Sequence, residues 1–254
     1  MGRRAVAAVT VGALALLGCR PGTVSLGVAP REGDTYRYRY EIELSLTRIV
    51  EGSAPEVTEL VATLISDQEV LEVTEDGALV EVTLTSDGTA PRTAVVQLDR
   101  AGSLQAIEEI EGLPSDEIGL PAAGSLLAST SIEPPDRPLA PGTRWTIDDG
   151  DITGTARLDR LGVIDDHEVA VVRASLMEAL RETVTAEDSE VTLDGDLRSV
   201  TSTTFDIADG AVREADTQAE GNVDLQISPP TGVTAPPVMA TISYELRVRT
   251  TRLD

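Results

Sequence analysis

This 254-residue chain has one histidine, one cysteine, one tryptophan, one phenylalanine and no lysine, and each shortage closes off a class of function. With only His167 and Cys19 available, the chain cannot build a zinc site of the usual His/Cys kind, and no disulfide can form within it. A Ser-His-Asp site would have to use His167, which sits in the turn-like stretch Asp165-Asp166-His167-Glu168 and reads as a solvated residue. No Gly-x-Ser-x-Gly elbow, dinucleotide fingerprint or Walker sequence is present. Aromatic residues make up 2% of the chain, which leaves few platforms for sugars. The acidic stretches Asp148-Asp149-Gly150-Asp151 and Glu187-Asp188-Ser189-Glu190 lack the ligand spacing and closing glutamate of a calcium loop. They read as solvated turns, with a weak calcium site as the rival. On these grounds the chain is expected not to be an enzyme and to carry no cofactor and no metal.

Charge is equally one-sided. Twenty basic residues, all arginine, stand against 44 acidic ones, a formal −24 that excludes nucleic acid as a partner. Such a surface keeps an exported protein soluble; a cation-binding surface is the alternative reading.

The start of the chain supplies an address. Arg3 and Arg4 precede an uncharged run from Ala5 to Leu17, about the length of a signal-peptide core and short for a bilayer span. The run ends in Leu16-Leu17-Gly18-Cys19, which resembles the lipobox of bacterial lipoproteins. The resemblance implies cleavage before Cys19 and attachment of diacylglycerol to its thiol, so that acyl chains such as palmitate hold the protein to a membrane. The rival is an uncleaved anchor. Residues 1–18 are thus expected to be a signal peptide, 19–31 a lipidated tether, and 32–254 one folded domain in the cell envelope, on the extracytoplasmic side.

The rest of the chain reads as a succession of strands. From Tyr36 the even positions Tyr36, Tyr38, Tyr40, Ile42, Leu44 and Leu46 alternate with Arg37, Arg39, Glu41, Glu43, Ser45 and Thr47. Period-two alternation of this length predicts a half-buried antiparallel strand. Further strands are expected at 57–65, 69–73, 78–85, 93–98 and 104–110. In the second half they are expected at 143–147, 152–163, 168–175, 191–207 with a break at Gly195, 212–217, 222–227 and 238–249. Leu176 to Val184 has apolar residues at helical spacing and reads as strand running into loop. If the first and last strands pair, Arg37, Arg39, Glu41 and Glu43 meet Glu245, Arg247 and Arg249 across the wet face.

The interval 111–141 holds six prolines around a modestly helical piece, Ala122 to Thr130. Leu120, Leu126 and Leu127 suit it to cover a sheet. Gly142-Thr143-Arg144-Trp145 echoes Gly33-Asp34-Thr35-Tyr36, and later turns repeat in order, which points to similar halves at 32–115 and 142–254. The expected fold is mostly β: long antiparallel strands in a strongly curved sheet or half-barrel, with at most one or two short helices.

The lipobox, the tether, the long amphipathic strands and the Gly-x-x-Trp restart together resemble the LolA-like lipoprotein superfamily and allied exported lipoproteins. That resemblance implies a half-open curved sheet around an apolar cavity. Tyr36, Tyr38, Tyr40, Trp145 and Tyr244 are the candidate lining, because each ring joins an apolar body to a polar tip. The expected function is a membrane-anchored envelope protein that holds a lipid or other hydrophobic ligand. A structural or protein-interaction module without a small ligand is the alternative.

Overall fold

The structure is a computed structural model that describes residues 22–26, 30–75, 77–86, 88–99, 104–110, 113–114, 134–186, 189–230 and 233–253. The expected signal peptide at 1–18 with its Leu16, Leu17 and Gly18, Cys19 itself, and the expected helix at Ala122 to Thr130 lie outside these residues. The first half forms β1 (Thr35–Val50), β2 (Glu56–Val73), β3 (Gly77–Ser86), β4 (Arg92–Asp99), β5 (Leu104–Ile110) and β6 (Leu113–Pro114). The second half forms β7 (Arg144–Asp149), β8 (Ile152–Ile164), β9 (His167–Ala186), β10 (Ser189–Asp206), β11 (Val212–Ser228) and β12 (Val238–Arg252).

Alternation drives these elements, because a strand with one apolar face is stable only when that face is covered. In β1, Tyr38 is buried while its neighbours Arg37 and Arg39 are exposed. Several strands run longer than their local sequence suggests. The expected segments at 57–65 and 69–73 are one 18-residue strand, and those at 212–217 and 222–227 are one 17-residue strand. Gly195 does not interrupt β10, and Leu176 to Val184 is the second half of β9. In each case an unbroken ladder of partners holds a locally ambiguous sequence extended.

Tight turns fix the registers. Between β8 and β9 the two linking residues, Asp165 and Asp166, have φ of 49° and 66°, the left-handed pair that a type I′ hairpin turn requires. Aspartate tolerates that conformation better than most side chains.

All twelve strands join one antiparallel sheet in the order β6-β5-β4-β3-β2-β1-β12-β11-β10-β9-β8-β7. Each half is a six-stranded meander, and the two meet where the first strand pairs the last. The register there sets Glu41 opposite Arg249 and Glu43 opposite Arg247, as anticipated, whereas Arg39 faces Thr251, Glu245 faces Ser45 and Arg37 pairs Asp67 of β2 instead. The sheet is thus an up-and-down meander joined by its ends and left open between β6 and β7. The described prolines next to that opening, Pro114 at the end of β6 and Pro134, Pro135, Pro138 and Pro141 before β7, have no N–H to give a ladder.

One face of the sheet carries most of the buried apolar side chains, while Val57, Val61 and Val200 stand exposed on the other. Across the strands, a single row on this face reads Leu158, Val172, Thr203, Ala215, Thr250 and Tyr40, in register from β8 to β1. No helix or second sheet covers that face among the described residues, yet Leu158, Ala170 and Val172 are fully buried. Burial of this kind requires the sheet to curl toward its own apolar side. Val24, bridged to Leu139, packs into the same cluster with Ile147, Ala156, Ala174 and Leu176. A smaller cluster of Val70, Ala78 and Val80 fills the other arm. This is the mostly β, strongly curved, half-barrel sheet expected from the alternation.

Candidate functional site

The candidate lining residues all stand on the apolar face, but they form three separate groups. Tyr36, Tyr38 and Tyr40 make a ladder along β1 with ring centroids 6.4 and 6.3 Å apart. Trp145 packs at the β7 edge against the larger core cluster. Tyr244 lies on β12 opposite Leu46, several residues along the strand from the ladder.

The ladder is a packed, polar-tipped seam. The Tyr36 hydroxyl donates to Asp34 Oδ2 at 3.3 Å, and the Arg252 guanidinium sits 5.2 Å from the centre of its ring. Arg252 also bonds Asp209 at 2.6 Å, so the end of β12 is clasped to the β10–β11 turn and to β1. Gln68 Nε2 donates to Ser66 Oγ at 3.2 Å and to the Tyr40 hydroxyl at 3.5 Å. Burial, with help from Asp34, pushes the Tyr36 phenol up to about 12, and burial raises Tyr38 and Tyr40 as well. These phenols stay protonated and act as neutral hydrogen-bonding groups.

Between the two packed clusters the apolar face is only partly covered. Ile42, Leu44, Leu46, Leu64, Ile242 and Leu246 are half-buried, and Leu60 and Val238 on the same face are 49% and 48% exposed. Here the sheet presents a floor of aliphatic side chains. On the same face, beside the larger core cluster, stands an acidic group: Glu178 on β9, paired with Ile152 and Leu197, is 9% exposed, and its Oε2 has no hydrogen-bond partner among the described residues. Burial, with Asp151 nearby, holds its carboxyl above the ordinary glutamate range. Burial and the charge of Glu178 in turn push the Tyr244 phenol up to about 12, which places the two side chains in electrostatic contact.

A second buried carboxylate lies at the opposite end of β10. Asp206 is 1% exposed and receives the N–H of Ala208 at 2.9 Å, with His167 Nδ1 2.7 Å and Arg213 3.5 Å from its Oδ2. Burial alone would raise Asp206, but the backbone N–H groups of Ala208 and Asp209 and the His167 side chain outweigh it and hold the carboxyl below its ordinary value. His167 is therefore more than a solvated turn residue: its ring is half exposed, and its other side anchors a buried acid. Sequence reading missed the pair because Asp206 is 39 positions away and nothing local marks it as buried.

The charged face has a groove of about 590 Å³ above Gly195 and Gly221, lined by Asp194, Asp196, Glu220, Asp224 and Glu245 with Arg198 and several hydroxyl groups. Of the candidate lining residues only Tyr244 reaches it. Among the described residues, no group of three His, Cys, Asp or Glu side chains is arranged to hold a metal ion.

No protein-family model and no curated protein matches the chain. Among solved structures it is similar to OmpT, an outer membrane protein of Vibrio cholerae, in two forms. With the variant lacking loop L8 it shares 10% identity at a TM-score of 0.19, over 86% of this chain and 99% of the other. With the trimeric form folded in vitro it shares 8% identity at a TM-score of 0.21, over 86% of this chain and 100% of the other. The expectation that the chain is not an enzyme is corrected here. The structures it resembles are these OmpT proteins, and the non-catalytic assignment is withdrawn. At TM-scores of 0.19 and 0.21 the likeness supplies neither a reaction nor catalytic residues.

The polarity of the sheet is the reverse of a bilayer-spanning barrel. Its outward face carries Arg37, Arg39, Glu41, Glu43, Arg247 and Arg249 along the two central strands, with the aliphatic residues inside the curl. A lipid-facing surface charged in this way would cost about 2–4 kcal/mol for each arginine near the bilayer midplane.

Proposed function

We propose that this chain is an envelope lipoprotein, tethered by diacylglycerol on Cys19, whose curled sheet holds a lipid or other hydrophobic ligand against its apolar face. The observation that carries this reading is the uncovered aliphatic floor between the two core clusters, where Leu60 and Val238 are half exposed and their neighbours only partly buried. An apolar surface left wet loses about 25 cal/mol for each Å² that a ligand could cover. Contiguous apolar patches on soluble surfaces commonly mark binding sites. The export signal and the Cys19 motif support the membrane tether, and the charged outer face suits a domain standing in water beyond the lipid.

The competing reading, an interaction module of the envelope without a small ligand, is favoured by the acidic groove on the charged face. Native mass spectrometry of protein purified from its own membrane separates the two. The proposal expects a chain that begins at Cys19 with a diacylglyceryl mass, carrying a further lipid released on activation. A chain retaining Met1 and no acyl mass would overturn the tether. A lipidated chain without bound lipid, in complex with another envelope protein, would favour the interaction module.

A further inference from the structure

One row of the apolar face differs from the rest. Running across four strands, Glu178 on β9, Leu197 on β10, Gly221 on β11 and Tyr244 on β12 are paired in register. Gly221 has no side chain to fill its place in the row, and a Cβ there would come within 2.7 Å of Tyr244 Cε1. The Tyr244 ring therefore leans over the glycine toward Glu178, close enough for the carboxyl charge to act on its phenol. Neither group finds a hydrogen-bond partner among the described residues. Glu178 Oε2 has no partner, and the Tyr244 hydroxyl makes no hydrogen bond among the described residues.

A buried, unpartnered carboxyl oxygen costs stability unless something satisfies it. Replacing the glutamate with leucine would remove that cost from an otherwise aliphatic surface, so its presence calls for a use. The geometry points to a polar-head subsite: Glu178 and Tyr244 together receive the uncharged, hydrogen-bond-accepting head of a lipid, such as the ester carbonyl of an acyl glyceride, whose chain lies on the aliphatic floor. The chemistry selects that head. Burial favours the protonated form of Glu178, in which carboxyl and phenol are both O–H donors that match a carbonyl oxygen. A phosphate or carboxylate head would bring negative charge to a place where burial and Asp151 already disfavour it. This inference rests on the ligand-holding role proposed above and names where the ligand's polar end sits.

The test uses the full lipidated chain, stripped of bound lipid and held in amphipol, with two probes. N-phenyl-1-naphthylamine reports the aliphatic floor by fluorescence, and 1-monoolein labelled with ¹³C at its ester carbonyl reports the head. Wild-type protein is expected to bind both, with the labelled carbonyl band shifted to lower wavenumber by hydrogen bonding. Glu178→Leu and Tyr244→Phe should each weaken monoolein by about tenfold, the worth of one buried hydrogen bond, and diminish the band shift. Naphthylamine binding should stay unchanged in both. Glu178→Gln keeps an N–H donor and should stay within about threefold of wild type, guarding against a folding defect in the leucine variant. Equal monoolein affinity and an unshifted carbonyl in every variant, with naphthylamine still bound, would overturn the subsite and leave the ligand-holding role standing. Failure of the wild type to bind either probe would overturn both.

Discussion

At the residue scale, the two buried carboxylates behave in opposite ways, and their surroundings explain why. Glu178 stands among aliphatic side chains with an unpartnered oxygen, so its charged form is disfavoured. Asp206 is more deeply buried yet receives backbone and side-chain donors, so its charged form is preferred. Because the folded-state pKa of Asp206 lies below its unfolded value, its contribution is present above the ordinary aspartate range. It is lost as the pH falls through the folded value. Asp206→Ala should thus cost about 3 kcal/mol at neutral pH, the cost of breaking a buried charged pair, with the difference from wild type shrinking in acid. Thermal melts of both proteins from pH 7 down to pH 2 would check this, and a difference independent of pH would refute the charge argument. Neither carboxylate stood out in the sequence, since a chain with 44 acidic residues offers no local sign of which two are enclosed.

At the element scale, glycine placement shapes the sheet. Gly154, Gly195 and Gly221 lie where neighbouring strands approach too closely for a side chain. A Cβ on Gly195 would overlap the Asn222 carbonyl oxygen and lie 2.8 Å from Val223 Cα. The approaching atoms are backbone and cannot move aside cheaply. Gly195→Ala should therefore cost about 1–3 kcal/mol by overpacking. Gly162→Ala is the matched control, because nothing lies within 4 Å of its added carbon. It should be neutral or slightly stabilising, by up to about 1 kcal/mol, through the unfolded chain. Urea unfolding of the two variants would read the contrast, and equal midpoints would show that the sheet relaxes around Gly195. Local sequence marks Gly195 as a strand break, whereas the sheet uses it as a point of close approach inside an unbroken 18-residue strand.

At the scale of the whole molecule, the β1–β12 pair is the seam on which both halves depend. Each half is a meander that contacts the other through this seam, and thirteen residue pairs align along it from Tyr38↔Arg252 to Val50↔Ala240. A chain ending at Pro230 would lose β12 and expose the edges of β1 and β11 together, two long unpaired templates for association. Such a chain should aggregate, as sedimentation velocity would show. A monomer with its β content otherwise intact would mean the halves fold without their seam.

The sequence by itself determined that the chain is a succession of amphipathic strands and which face of the first and last is wet; that these two pair was only an expectation until the register decided it. Period-two alternation is a local property, and complementary charges at the two ends were visible without coordinates. The proposed membrane tether also rests on sequence, because an export signal and its cysteine would act in the unfolded chain. Tertiary structure alone decided which locally ambiguous segments continue as strand, since β9 and β11 are held extended by partners far away in the chain. It also decided that the five aromatic candidates fall into three groups, and that Glu178 and Tyr244 share a row across Gly221. Those facts depend on register, and register is set by how four strands pair at once.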